Sequence, residues 1–259
     1  MTSPTPLRNH ASLRSQYRGT LAFLASFAVA AAFAGEIKDD IKAAAKALAE
    51  KPNYTWTSET EGTPFPMSPL EGRAEKGGFT LISQDMNGNT LTAVLKGTNG
   101  AVKLADGWKT AAELPQPNFG GGGPPDFSAM IGRRLLTAKA PAAEVADLVD
   151  KVKELKTVNG RFEGELTEEG AASLMPFGRR PPGGAPGGAG APPAPSIKGT
   201  VRVWLKDGAL WKYEVATDIT MQTPMGEMNM SPTTVVRLKD IGTTKVEVPA
   251  EARQKLESK

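Results

Sequence analysis

The sequence predicts an α+β protein in which one large antiparallel sheet carries helices on a face. Two observations carry this reading. Period-two alternation recurs from Tyr54 to Trp108 and from Ile197 to Ile241, broken by turns rich in Gly, Asn and Asp, while apolar residues fall at helical spacing in 36–50 and 141–155. Apolar residues also occupy both sides of the early strands, the pattern of a sheet covered on one side and lining something on the other.

The first 34 residues read as a secretory leader. Arg8, Arg14 and Arg18 precede an apolar run from Leu21 to Ala31, and Ala32-Phe33-Ala34 offers the small residues a signal peptidase recognises, so cleavage is predicted after Ala34. The apolar run is shorter than the ~20 residues of a membrane span. The mature chain is therefore expected to be periplasmic or secreted rather than an integral membrane protein. With no Cys it can form neither a disulfide nor a lipidated N-terminus, and residues 35–259 are expected to be one domain held by burial alone.

Removing the leader also removes the charge imbalance. The chain has 31 Lys and Arg against 28 Asp and Glu, and the leader holds three Arg, no acid and the sole histidine, His10. The mature chain is thus formally neutral. Its basic pairs Arg133-Arg134 and Arg179-Arg180 are isolated, which argues against a nucleic-acid partner.

The elements follow in order. In 36–50, Ile37, Ile41, Ala44, Ala45 and Leu48 form an apolar stripe, and Pro52 ends the helix. A strand starts at Tyr54. Residues 70–105 form a meander with turns at Gly77-Gly78, Asn87-Gly88-Asn89 and Gly97–Gly100, and Asp106-Gly107 turns the chain into Trp108. A Gly/Pro-rich loop is expected at 115–125, then a helix capped by Asp126. A second helix spans 141–155 with Pro141 in its first turn. A strand interrupted by Gly160 and Gly164 is expected over Val158–Leu166, and Thr167 caps a short helix. The tract 176–196 holds seven Pro and six Gly and is expected to be a flexible loop. Asp207-Gly208 joins strands Ile197–Lys206 and Ala209–Ile219, with Trp211, Tyr213 and Val215 expected on one face of the second. A turn at Pro224–Glu227, a strand over Thr233–Ile241, a short strand over Val246–Val248 and a helix opened by Pro249 complete the chain.

Without His or Cys the mature chain cannot assemble a Ser-His-Asp or Cys-His site or a His-ligated zinc, and it carries no nucleotide-binding glycine motif, so no enzyme activity, cofactor or metal is expected. Asp85–Asn89 resembles a calcium loop only loosely, and a turn is the better reading. Met221, Met225, Met228 and Met230 are soft ligands that could hold Cu(I), although adaptable apolar packing explains them better. The Pro/Gly tract offers another alternative, an interaction or scaffold module that uses this arm.

Val203–Lys212, with its W-x-x-x-G-x-[LW] character, and Asp240–Pro249, which reads D-I-G-x-x-x-V-x-[VP]-P, resemble the LolA/LppX-like lipoprotein-carrier superfamily. The resemblance implies a strongly curved antiparallel sheet, an unclosed β-barrel, with helices covering its concave face and an apolar cavity between them for lipid or lipoprotein acyl chains. Phe79, Leu81, Leu91, Leu95, Val203, Trp211, Tyr213, Met228 and Met230 are then the candidate cavity-lining residues. The implied partners are an apolar ligand and a membrane-associated donor or acceptor protein.

Overall fold

The computed structural model describes residues 21–64, 67–86, 88–115, 127–175, 195–223 and 226–257, with 21–34 as backbone only. The Asp126 cap, nearly all of both Gly/Pro-rich loops, Asn87 and the Pro224-Met225 turn lie outside these residues.

The front half folds as the meander its turns dictate: β1 (Asn53–Glu61), β2 (Leu70–Glu75), β3 (Thr80–Met86), β4 (Asn89–Lys96), β5 (Asn99–Leu104) and β6 (Gly107–Thr110). The later strands are β7 (Lys156–Val158), β8 (Arg161–Glu165), β9 (Ser196–Lys206), β10 (Ala209–Thr223), β11 (Gly226–Met230) and β12 (Thr233–Lys239). All twelve join one antiparallel sheet in the order β6-β5-β4-β3-β2-β1-β12-β10-β9-β8-β7, with β11 added beside β10. β1 and β12 pair over seven residues, from Thr55 with Lys239 to Glu61 with Thr233, and so join the front and rear halves. The path ends at β6 and β7 without closing, so the twist of so many strands produces a curved, open barrel.

Register fixes what each face presents. One transverse row runs Phe162, Val203, Tyr213, Val236, Ser58, Leu70, Gln84, Leu91, and the next runs Leu238, Trp56, Gly72, Ile82, Ala93, Val102. These rows form the concave face. Three helices cover it: α1 (Leu21–Ala49) lies on β9 and β10, α3 (Pro141–Asp150) packs on α1, and α2 (Phe127–Thr137) lies on β4 and β5. Ile41, Ala44, Ala45 and Leu48 of α1 meet Val145, Leu148 and Val149 of α3 in the buried core, each large side chain worth ~1.5–3 kcal/mol of transfer free energy. Gly132 lets α2 sit close, because a Cβ there would lie 3.1 Å from Val102 Cγ1. The short α4 (Glu168–Ala172) is capped by Thr167, whose Oγ1 accepts from the Gly170 N–H at 3.0 Å.

The opposite face holds a smaller cluster. There α5 (Ala250–Glu257) buries Ala252 and Leu256 against Phe79, Val94 and Ala101, and the Lys255–Glu113 ion pair at 2.6 Å ties the helix to the turn after β6. Glu163 accepts from both Arg161 and Arg202 on the rest of this face, while Lys212 Nζ stands 4.2 Å from the centre of the Trp204 ring.

Several expectations need correction. The helix predicted over 36–50 is part of a longer one that runs continuously from Leu21. α3 ends at Asp150 rather than 155, because Val152 leaves the helix to bridge Leu166. The expected strand over 158–166 is a hairpin: Asn159 and Gly160 take φ of 49° and 76° and join β7 to β8 as a tight turn. Val246–Val248 is not a strand, since Val246 and Val248 pack into the α5 cluster instead of joining the ladder.

Candidate functional site

β10 carries a bulge, because Leu210 pairs with Leu205 while Lys212, not Trp211, pairs with Trp204. One extra residue moves every later side chain to the other face. Leu210 and Tyr213 thus both reach the core, at 1% and 0% exposure, and Trp211 is left 42% exposed. The expected sharing of one face by Trp211 and Tyr213 is therefore corrected.

The nine candidate lining residues divide between separate surfaces. Leu91, Val203 and Tyr213 are buried on the concave face, and Leu95 is half-buried beside them. Phe79 and Leu81 belong to the α5 cluster on the outer face. Met228 is exposed on β11 opposite Met221, and Met230 faces Ile219. An open depression of about 470 Å³ beside α5, lined by Val248, Ala250, Arg253, Gln254 and Glu257, also lies on the outer side.

The concave face holds a more informative group. Leu70, Met86, Ile131, Leu136 and Leu238 pack on the core yet remain half-buried, Ile131 and Leu136 from α2 and the other three from the sheet. Polar groups adjoin them. Tyr213, at the centre of the sheet, donates its hydroxyl to Glu144 Oε2 on α3 at 2.5 Å. Burial raises the Glu144 pKa, against the opposing effects of the Tyr213 hydrogen bond, Lys139 and Arg134. Burial likewise lifts the Tyr213 hydroxyl well above its ordinary value, and the Glu144 charge adds to this. Tyr54 is raised by burial too, its ring 5.8 Å from that of Trp56.

Arg133 and Arg134 on α2 differ sharply. Arg133 donates to the carbonyls of Ala111, Leu114 and Pro115, which fastens the chain after β6 onto the helix. Arg134 donates to Met67 Sδ at 3.6 Å, a weak acceptor. It is exposed, yet desolvation lowers its pKa against the pull of Glu144. Glu144 shows the same combination, half-buried but desolvated. Gln84, 4% exposed, donates Nε2 to the Ser68 carbonyl at 2.8 Å, while its buried Oε1 has no donor among the described residues.

Sequence reasoning missed Arg134, Glu144 and Gln84. Glu144 carried a faint signal, because it stands four residues before Leu148 at the border of the α3 apolar stripe. Arg134 carried none, since its neighbours come from segments distant in sequence.

The arrangement defines a class: an open antiparallel barrel with helices packed on its concave face. Three solved structures are similar in fold. They are the lipoprotein LppX of Mycobacterium tuberculosis (12% identity, 83% of this chain and 99% of that chain, TM-score 0.43), LprF of Mycobacterium bovis (11% identity, 84% and 98%, TM-score 0.37), and a LolA superfamily protein of Nitrosomonas europaea (8% identity, 79% and 95%, TM-score 0.29). No family model matches the chain, and neither does any curated protein.

Proposed function

We propose that this is a non-enzymatic carrier, exported and cleaved after Ala34, that shelters a lipid, acyl chain or other apolar ligand between the concave face and α2. The observation that carries the reading is the group of half-buried apolar side chains at Leu70, Met86, Ile131, Leu136 and Leu238, flanked by desolvated but reachable Arg134 and Glu144. Such a lining suits an apolar chain with a few polar groups to orient it. Of the original candidates, Leu91, Leu95, Val203 and Tyr213 contribute to this face. Among the described side chains of α1, those that pack in the core begin at Ile37, beyond the proposed cleavage point. No helix among the described residues is long and apolar enough to cross a membrane.

Native mass spectrometry of protein purified from its own host tests this reading, together with titration by a fluorescent fatty acid. A bound lipid-sized adduct and saturable uptake are expected. Ligand-free protein that takes up no probe would overturn it.

A further inference from the structure

We infer that Arg134 is the receptor for an oxyanion head group, a carboxylate or phosphate at the end of the apolar ligand. The inference rests on the apolar-ligand reading above and names the class of ligand that it left open.

The donor inventory is the first argument. A guanidinium offers five N–H donors. Arg133 places its donors on three carbonyls, whereas Arg134 has a thioether as its hydrogen-bond partner and no carboxylate within ion-pairing distance among the described residues. A thioether is readily outcompeted by an anionic oxygen, with which arginine forms short, bidentate, charge-assisted bonds.

The surroundings supply the second argument. Lys139, the other cation that bears on Glu144, is matched by an ion pair to Asp147, so among the described residues Arg134 is the cation left available there. Glu144 is held by the Tyr213 hydroxyl. Gln84 binds Ser68, the residue after the Met67 that Arg134 touches, and its buried Oε1 lacks a donor among the described residues. The same corner therefore offers an acceptor for a hydroxyl on the head group, as a protonated phosphate monoester would carry. The half-buried side chains of Ile131, on the same helix, and Leu70 then receive the start of the chain.

The test compares three probes of equal chain length, palmitate, hexadecyl phosphate and hexadecanol, against the full mature protein by calorimetry. The wild type should bind one or both anionic probes about tenfold or more tightly than the alcohol, the range expected of a charge-assisted hydrogen bond. Arg134→Met should abolish that preference by lowering affinity for the anionic probes about tenfold or more, and Arg134→Lys should restore part of it. The palmitate and phosphate arms identify the oxyanion. Equal binding of all three probes by the wild type, or a preference that survives in Arg134→Met, would overturn the inference while leaving the carrier reading intact. Failure of the folded wild type to bind any of the three would overturn both.

Discussion

The Tyr213 hydroxyl and the Glu144 carboxylate meet at 2.5 Å, joining the middle of the sheet to the first turn of α3. Burial outweighs this hydrogen bond and raises the Glu144 pKa above the ordinary 4.5, so the folded chain holds that proton more tightly than the unfolded chain. The sign follows from linkage: stability falls as pH rises from 4.5 through the folded pKa, and the penalty is complete above it. Glu113 has the opposite sign in another window. It is depressed to about 2 chiefly by Lys255, and its contribution is lost only as pH falls below 4.5. Glu144→Gln keeps an acceptor for Tyr213 and removes the ionisation. Urea unfolding from pH 5 to 8 should show the variant more stable than wild type at the upper end, with a flatter pH profile. Parallel profiles would contradict this account.

Trp56 lies flat across β2 because residue 72 is glycine. A Cβ at Gly72 would stand 2.0 Å from Trp56 Cζ2, so Gly72→Ala must push the indole out of the row it shares with Ile82. Overpacking of this kind costs ~1–3 kcal/mol. A fall in Tm of roughly 2–4 °C per kcal/mol is expected for a chain of this size. A shift in tryptophan emission should accompany it, and an unchanged Tm would show that the indole can move freely.

Turn chemistry made most of the sheet legible. Glycine, asparagine and aspartate marked the hairpins from Gly77 to Gly208, and the Asp207-Gly208 turn adopts φ of 51° and 74° as its type I′ reading required. Asn159-Gly160 carried the same signal, but the low apolar content of its flanking strands hid the hairpin. The bulge at Trp211 was invisible, since alternation is counted one residue at a time and an inserted residue leaves no mark in composition. The polar corner was illegible for a different reason. Gln84, Arg134, Glu144 and Tyr213 come from four elements, and no spacing rule relates residues that only tertiary packing brings near one another.

α1 should tolerate loss of its leader but not of its core face. Ile41 is fully buried between α3 and the sheet, and Ile41→Ala in a chain beginning at Gly35 should cost ~2–5 kcal/mol. The chain beginning at Gly35 should itself fold and melt cooperatively. A truncated protein that fails to fold would place essential packing within 21–34.

Trp211 and Tyr213 are two residues apart, and their substitutions should separate the two faces of β10. Trp211 is 42% exposed on the bulge, so Trp211→Ala should change stability by no more than ~0.5 kcal/mol and leave ligand affinity unaltered. Tyr213 has no exposed surface, and Tyr213→Phe removes the donor from a desolvated carboxyl, which should cost ~1–3 kcal/mol. The pH dependence gives a readout that a simple packing defect would not move. Without its donor Glu144 should hold its proton to higher pH, so the stability loss of Tyr213→Phe relative to wild type should be smaller at pH 5, where the carboxyl is more nearly neutral, than at pH 8. A loss independent of pH would mean that the hydroxyl acts on packing alone.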